Sequence, residues 1–393
     1  MLLRNRIDDQ VTYATFEGSA GVTEYYLAVH SREDHPFPEA VADVHARYHQ
    51  ALDALGLSGE TQMFSRVFLS DIANQTDELS RSELFGFIRD GAYSVIQQCP
   101  LNSGDVSLFA YHFKKQSGVF QKVSFAFDNE QWRNGARVIG DHHDMYWTGN
   151  FSGLGQSDSF EQTKEIFTFF NNFINENGLT LLNNTVRTWL YVRDVDNNYH
   201  GMVDARKEYF YIQGLNLQTR YIASTGIEAK MKEYYSLVSM DALSISGLKP
   251  GQIVRMEAPE NLCPTEDYGV TFERGSKLVF GDRSHHYISG TASIDRLGQV
   301  LHPADVIKQT VRTLENIEAL LRPHGAELKD MAYLIVYLRN IKDAERVRPA
   351  LNALVSENMP LFLVQAPVCR PSWLIEIEGV AITPNAEASP YFI

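Results

Sequence analysis

Hydrophobic and polar residues alternate along this chain with two different periods, and the same succession of periods occurs three times. Three segments carry apolar residues at the i, i+3, i+4 spacing of an amphipathic helix: 38–55, 159–177 and 303–321. Each is followed by a short apolar run that ends in a turn: 65–71, 188–194 and 334–340. A second helix and closing strands complete each third, so the pattern predicts the order β-β-α-β-α-β-β in three consecutive copies.

Direct similarity between the thirds supports this repeat. Segments 140–149 and 281–290 both begin with Gly-Asp and end with glycine. We divide the chain into a first unit (1–117), a second unit that ends in a linker rich in glycine and proline (118–262), and a third unit (263–393). A sheet covered by helices on one face must bury its other face. We therefore predict an α+β fold in which three units close around a common axis as a pseudo-trimer.

Composition narrows the class of protein without indicating a reaction. The 393 residues are 44% hydrophobic and 21% charged, no apolar run is long enough to span a membrane, and the N-terminus lacks the apolar stretch of a signal peptide, so we expect a cytoplasmic protein. The formal net charge of -14 argues against a nucleic-acid partner, because phosphates require clustered Lys and Arg. The three cysteines are scattered, and the two adjacent histidine pairs would point to opposite faces of a strand. We therefore expect no metal site.

Four segments of the third unit form a recognisable signature: 287–294 (Tyr-Ile-Ser-Gly-Thr-Ala-Ser-Ile), 309–317 (Gln-Thr-x-x-x-Leu-Glu-Asn-Ile), 336–339 (Val-Tyr-Leu-Arg) and 375–379 (Ile-Glu-Ile-Glu-Gly). Together they resemble the RidA/YjgF superfamily, once called endoribonuclease L-PSP, over roughly residues 278–382. The first two units resemble degenerate copies. Single-unit members of that superfamily are homotrimers with active sites between subunits. The resemblance therefore implies a trimer fused into one chain, which we expect to be monomeric.

Further features of the third unit resemble the chorismatases, multi-unit relatives that release pyruvate from chorismate. They are segment 289–294 and segment 365–370 (Gln-Ala-Pro-Val-Cys-Arg), followed by Glu376 and Glu378. In that family a glutamate of the last strand is the acid, and a cysteine seven residues earlier influences which aromatic product forms. Glu376 and Cys369 stand at that spacing. The resemblance implies a lyase or hydrolase that acts on an enol-ether carboxylate and needs no cofactor.

Cleavage of an enol ether begins with protonation of its vinyl carbon, which requires an acid that keeps its proton near neutral pH. Burial raises the pKa of a carboxyl group because it disfavours the charged form. Glu376 and Glu378 share one face of a strand, since side chains alternate with a period of two, and repulsion between them raises one pKa further. A structurally hydrogen-bonded glutamate is the alternative for either residue. Alignment of Pro100 with Pro367 places Phe109 over Glu376 and Asn102 over Cys369, so the first unit lacks both groups.

A substrate with two carboxylates calls for guanidinium groups, which bind carboxylates through two parallel hydrogen bonds. Arg339 and Arg193 end equivalent strands of the third and second units, and strand ends tend to line clefts, so we expect both to clamp the substrate. Four further side chains are candidate substrate contacts: Arg370, Arg187, Gln365 and Thr291. Each arginine could instead be a surface side chain that pairs with an acid.

Two other functions remain open at this stage. RidA-type deaminases of imines and enamines bind the substrate carboxylate with an arginine in the strand after a proline. Segment 360–364 (Pro-Leu-Phe-Leu-Val) has no arginine, and only Arg370 could replace it. The non-enzymatic alternative is a small-molecule-binding protein in which all three clefts have degenerated. In each case the expected partner is a small molecule, with a carboxylate in both enzymatic hypotheses.

Overall fold

The computed structural model contains three mixed sheets of six strands, and all three sheets have the same strand order. Three antiparallel strands are followed by the last strand of the unit and then by two strands that run parallel to each other. The α+β fold with three repeated units is therefore confirmed. The residues that the structure describes are 1–33, 35–101, 104–127, 132–155, 158–265, 269–356 and 358–393.

The three units share the order β-β-β-α-β-α-β-β, to which the first adds a short helix before β5 and the second adds a short helix before β10. The first unit contains β1 (Leu2–Asp8), β2 (Val11–Glu17), β3 (Val22–His30), α1 (Phe37–Leu55), β4 (Gln62–Leu69), α2 (Ile72–Arg81), α3 (Glu83–Ile88), β5 (Ala92–Gln97) and β6 (Val106–Lys115). The second contains β7 (Gln121–Ala126), β8 (Asn134–Ile139), β9 (Met145–Ser152), α4 (Ser159–Glu176), α5 (Leu181–Asn184), β10 (Thr185–Val192), α6 (Val195–Ile212), β11 (Ala223–Glu228) and β12 (Val238–Ile245). The third contains β13 (Ile253–Met256), β14 (Gly275–Val279), β15 (Arg283–Ala292), α7 (Val306–Leu321), β16 (Met331–Leu338), α8 (Ala344–Leu354), β17 (Leu361–Gln365) and β18 (Ile375–Pro384).

Each unit begins with three strands, whereas the sequence pattern predicted two. The additional strands β1, β7 and β13 lie at the edges of their sheets and have few fully buried positions. An edge strand without a buried face lacks the regular alternation that identifies a strand. The sequence predicts a linker around β13, because that strand lies among glycines and prolines. In the structure β13 pairs with β14 in the third sheet.

The three sheets bury their inner faces against one another, and their outer faces carry the helices. One continuous hydrophobic cluster includes residues from all three units. Tyr26 of the first unit stacks on Tyr333 of the third at 5.6 Å between ring centroids, and Phe64 stacks on Trp147 of the second at 4.6 Å. The buried pair Arg66–Asp241, at 3.0 Å, also joins the first two units. No helix in the described ranges is long and apolar enough to cross a bilayer.

Helix α6, together with β10 and β11, lies on the side of the second unit that faces the third. Its buried residues include Met202, Arg206 and Phe210, which are spaced four apart and therefore share one face. An arginine on that face brings a charged group under the helix, toward the edge of the sheet. The guanidinium group of Arg206 therefore lies at the boundary between the second and third units.

Candidate active site

A cavity lies between the second and third units. It is bordered by α6 and β11 on one side, and by β15, β18 and the segment that joins β17 to β18 on the other. Six of its lining residues carry titratable groups: Tyr199, Arg206, Arg274, Cys369, Arg370 and Glu376. The structure therefore brings together Glu376, Cys369 and Arg370 from the sequence-derived candidates and adds three groups that were not among them.

Glu376 lies in β18, where it pairs with Ala292 of β15 and Tyr337 of β16. The residue is only 4% exposed. Its carboxyl group occupies space left by Gly290, since a Cβ atom at position 290 would lie 2.0 Å from Glu376 Oε1. A glycine at this point of β15 is thus a requirement of the site, because any side chain there would displace the carboxyl group.

The electrostatic surroundings of Glu376 favour its protonated form. Burial and, after it, the negative charge of Glu378 raise the pKa of Glu376 to about 8, against the opposing effect of Arg274 and Arg187. The carboxyl group therefore carries its proton at neutral pH. A carboxylic acid in this state, at the wall of a cavity, can donate a proton to a bound molecule.

Glu378 is held by three donors from the second unit. Its Oε2 accepts hydrogen bonds from Arg187 Nη2 at 2.7 Å and from Thr225 Oγ1, and its Oε1 accepts one from Trp189 Nε1 at 2.8 Å. Thr225 Oγ1 also accepts a hydrogen bond from the backbone N–H of Gly290 at 2.9 Å. Arg187, which we had expected to contact the substrate, is instead buried in this ion pair and does not line the cavity.

Three guanidinium groups line the cavity, and each lies near an aromatic ring. Arg206 and Arg274 lie 5.8 and 5.6 Å from the centre of the Phe272 ring, and Arg370 lies 5.6 Å from that of Trp373. Arg206 and Arg274 are almost fully buried. Buried guanidinium groups are placed by their surroundings, so they can bind a carboxylate with little loss of side-chain entropy.

Sequence reasoning missed Arg206 and Arg274. A usable signal existed for Arg206, because an arginine on the apolar face of an amphipathic helix is unusual. No comparable signal existed for Arg274, which precedes a short strand in a region without a repeat motif. Its position beside the second unit follows from an isolated bridge between Ala223 and Glu273, which no local pattern predicts.

Arg193 and Arg339, the expected carboxylate clamps, lie outside the cavity lining. Arg193 donates from Nε to the carbonyl oxygen of Ser236 at 2.9 Å. Arg339 donates to Asp196 of α6 at 2.5 Å and to the carbonyl oxygen of Val368 at 2.9 Å. Both stand at strand ends as expected, but the nearest acceptors there belong to the protein itself. Neither residue lines the described cavity, so its geometry does not support the prediction that they clamp the substrate, and mutation can test that prediction.

Gln365 and Thr291 also lie away from the cavity. Gln365 ends β17 at the boundary between the first and third units, where its backbone N–H donates to the carbonyl oxygen of Cys99 at 2.8 Å. Thr291 donates to the carbonyl oxygen of Ser289 at 2.9 Å, and its two neighbours in β15 line the cavity. Because adjacent side chains of a strand point to opposite faces, Thr291 faces away from the site.

Cys369 forms part of the cavity wall between the second and third units. Burial and the charge of Glu376 raise the pKa of the Cys369 thiol to about 12, although a hydrogen bond from Tyr199 acts in the opposite direction. The sulfur therefore keeps its proton, and a protonated thiol is a poor nucleophile. Cys369 and Tyr199 can shape the cavity without forming a covalent intermediate.

Strand pairing identifies the counterparts of Glu376 in the other two units. Pairing with the central strands β4, β10 and β16 places Ser107, Ser239 and Glu376 at one equivalent position. The alignment that placed Phe109 over Glu376 is therefore two residues out of register, and Asn102 lies outside the described residues. Among the three equivalent positions, only that of the third unit carries an acid.

A family model matches the third unit of this chain. The model of the family described as endoribonuclease L-PSP matches residues 279–383. A 3-aminoacrylate deaminase, RutC, of Acinetobacter baylyi is 34% identical over 100 residues, which cover 24% of this chain and 76% of that protein. This chain belongs to the RidA/YjgF superfamily.

Within the RidA/YjgF superfamily, this chain has a chorismatase-like fold. A solved structure of a chorismatase has a TM-score of 0.63 and 20% sequence identity, and the match covers 82% of this chain and 93% of that chain. A 3-hydroxybenzoate synthase of Streptomyces hygroscopicus is 26% identical over 219 residues, which cover 50% of this chain and 63% of that protein. The match thus spans less than two thirds of that relative.

The arrangement suits acid catalysis on an anionic molecule. Glu376 carries a proton at neutral pH, and Arg206, Arg274 and Arg370 place positive charge around the same cavity. In the part of the chain that the structure describes, no three His, Cys, Asp or Glu side chains stand together in a way that could hold a metal ion.

Proposed function

We propose that this RidA/YjgF protein releases pyruvate from chorismate or a closely related enol-ether carboxylate, with Glu376 as the acid. The observation that carries the proposal is a buried carboxylic acid, protonated at neutral pH, on the wall of a cavity that three arginines also line. The shared fold with a chorismatase and the partial similarity to a 3-hydroxybenzoate synthase support the same substrate class.

The proposed step moves one proton and breaks one C–O bond. Glu376 transfers its proton to the terminal methylene carbon of the enol ether, which leaves a carboxylate on Glu376 and an oxocarbenium ion on the substrate. Water adds to that cation, and the resulting hemiketal collapses to pyruvate and the ring alcohol. The proton lost by the water restores Glu376. The new carboxylate faces the cation as it forms, and this proximity stabilises the transition state.

The arginines are assigned to the carboxylates of the substrate. A molecule with two carboxylates needs two cationic contacts, and the cavity offers three. Arg206 comes from the second unit, whereas Arg274 and Arg370 come from the third, so the substrate would contact both units. Cys369 and Tyr199 complete the wall beside the acid and would influence which product leaves.

The experiment is an assay for pyruvate after incubation of the purified protein with chorismate, with the ring product followed by its absorbance. Glu376→Gln keeps the shape of the side chain but cannot donate the proton, and we expect its kcat to fall by at least about 100-fold. Ser239→Ala, at the equivalent position of the second unit, is the matched control and should keep wild-type activity. Equal pyruvate release by wild type and Glu376→Gln would remove Glu376 as the acid.

Deamination of an imine or enamine is the second candidate function. The observation that favours it is the 34% identity of the third unit to a 3-aminoacrylate deaminase. The same three arginines could bind the single carboxylate of such a substrate. Turnover of a 2-iminopropionate-type substrate without turnover of chorismate would favour deamination. No reaction with either substrate, together with no thermal shift by carboxylate ligands, would argue against both enzymatic functions.

A further inference from the structure

Some residues of the second unit influence the cavity although they do not line it. Beneath the cavity, a buried cluster from the second unit surrounds Glu378, two residues from the proposed acid. Its members are Arg187, Trp189 and Thr225, and all three donate hydrogen bonds to Glu378. The Arg187 and Glu378 side chains are 2% and 1% exposed. Because solvent does not screen this buried cluster, the charge of the Glu378 carboxylate acts strongly on its neighbours.

Each oxygen of Glu378 accepts at least one hydrogen bond, as a buried carboxylate requires. Three donors converge on it, and one of them is a guanidinium group that lies near the ring of Trp189, 4.9 Å from its centre. Glu376 has the reverse environment. It lies on the same face of β18, but its carboxyl group lies against the open position at Gly290. The two neighbouring carboxyl groups therefore have very different surroundings.

The same cluster also fixes the geometry around the acid. Thr225 Oγ1 accepts the backbone N–H of Gly290 at 2.9 Å while it donates to Glu378. Gly290 is the residue whose missing side chain leaves space for Glu376 Oε1. One hydroxyl group of the second unit therefore connects the charged group below the acid with the backbone beside it.

We propose that Glu378 is a positioning residue: held as a carboxylate by Arg187, Trp189 and Thr225, it keeps the proton on Glu376 and helps to fix that acid against Gly290. This inference rests on the proposed role of Glu376 as a proton donor. Residues of the second unit would thus keep the acid of the third unit protonated.

The charged and titratable groups that surround Glu376 come from every element packed against it. They are Glu378 on β18, Arg187 on β10, Arg274 before β14, Cys369 and Arg370 between β17 and β18, Tyr199 and Arg206 on α6, and Tyr337 on β16. The positive groups favour loss of the Glu376 proton, whereas Glu378 opposes it. Removal of the Glu378 charge is therefore expected to release that proton at lower pH.

The test measures protonation directly and does not depend on turnover. Infrared difference spectra between wild type and Glu376→Gln, recorded across a range of pH, isolate the C=O band of the protonated Glu376 carboxyl group. In Glu378→Gln we expect the midpoint of that titration to move down by at least about one pH unit, which is a tenfold change in the proton affinity. Glu378→Asp keeps the charge and should restore a midpoint close to that of wild type.

Two further variants separate this role from a purely structural one. Asp241→Asn removes a buried carboxylate of the second unit, which pairs with Arg66 of the first unit, so it matches the loss of stability without touching Glu376. Its Glu376 midpoint should be unchanged. If Glu378→Gln does not fold, the double variant Arg187→Gln/Glu378→Gln leaves no unpaired charge. It should shift the midpoint in the same direction by less, because Glu378 acts on Glu376 more strongly than Arg187 does.

The possible outcomes distinguish this inference from the proposed function. An unchanged Glu376 midpoint in a folded Glu378→Gln or in the double variant would overturn the role of Glu378, whether or not chorismate reacts. Failure of the wild-type protein to consume chorismate would defeat the proposed reaction but would leave the infrared titration interpretable. If both hold, kcat/KM of Glu378→Gln should fall about fivefold at pH 8, approach a tenfold loss above pH 9 and remain near wild type at pH 6, which a general loss of stability would not produce.

Discussion

Gly290 offers a specific test of the geometry around Glu376. In Gly290→Ala, the new Cβ atom would lie 2.0 Å from Glu376 Oε1 and 2.8 Å from the carboxyl carbon. An ordinary contact needs about 3.4 Å, so the carboxyl oxygen would have to retreat by about 1.4 Å. Gly290 is not among the glycines with a positive φ, so alanine does not strain the backbone at this position.

A displacement of that size affects catalysis more than stability. A shift of about 1 Å in a catalytic group costs on the order of 100-fold in rate, so we expect kcat of Gly290→Ala to fall by about that factor. The atoms that must move belong to the end of a side chain. The cost in stability should therefore not exceed the roughly 1–3 kcal/mol of an overpacked core. KM should change little, because the arginines around the cavity keep their positions.

Pyruvate release from chorismate, coupled to lactate dehydrogenase, gives kcat and KM, and thermal unfolding gives the change in stability. Gly86→Ala is the control, because an added Cβ atom in α3 would meet no atom within 4 Å. We expect this control to keep the kinetics of wild type and to unfold at the same or a slightly higher temperature, because alanine favours a helix more than glycine does. A folded Gly290→Ala protein with the kcat of wild type would refute the reasoning that the acid needs this space.

Three further outcomes follow from the charges of the molecule. Because Glu376 must be protonated to act and its pKa is raised to about 8, kcat/KM should be constant at lower pH and fall about tenfold per unit above pH 8 in a pH-rate profile. Arg206→Gln and Arg274→Gln should each raise KM by about tenfold to 100-fold, whereas Arg193→Gln should leave the kinetics unchanged, since its guanidinium group binds backbone carbonyls outside the cavity. Burial lowers the pKa of His30 from 6.5 to about 4. Between these pH values the unfolded chain therefore binds a proton at His30, whereas the folded protein does not. Through His30, the free energy of unfolding in urea should therefore fall by up to about 3 kcal/mol as the pH drops from 6.5 to 4. His30→Gln should remove this part of the fall, whereas His112 and His286, whose pKa values burial also lowers, should keep their own parts.

The fused arrangement explains why one cavity can differ from the other two interfaces. In a homotrimer every interface has the same residues, so an acid in one cleft is an acid in all three. Here the positions equivalent to Glu376 hold Ser107 and Ser239, and each serine hydrogen-bonds within its own unit. The second unit is therefore free to specialise. It carries Arg206, together with the donors that hold Glu378, without an acid of its own at the equivalent position.

The repeat, the fold class and most helices and strands follow from the sequence alone. The helix predicted over 159–177 is observed as Ser159–Glu176, and that predicted over 38–55 as Phe37–Leu55. Both have a continuous buried stripe, and burial of one face is a local property that the order of residues displays directly. The edge strands were not recognised for the opposite reason, because they expose most of their side chains and leave no such pattern.

Some features of the site also follow from the sequence, whereas others depend on the tertiary structure. The pairing of Glu376 with Glu378 and the spacing to Cys369 are visible within twelve residues of sequence, because a strand places alternate residues on one face. Which arginines reach the cavity was decided only by the packing of one unit against another. Arg206 and Arg274 lie 68 positions apart in the chain and more than 90 positions from Glu376, and no local period connects residues so distant. Arg193 and Arg339 occupy the strand ends that the sequence indicated, but the nearest acceptors there are groups of the protein itself. The local sequence determines on which face of a strand or helix a side chain lies, whereas its partner across an interface depends on the tertiary structure.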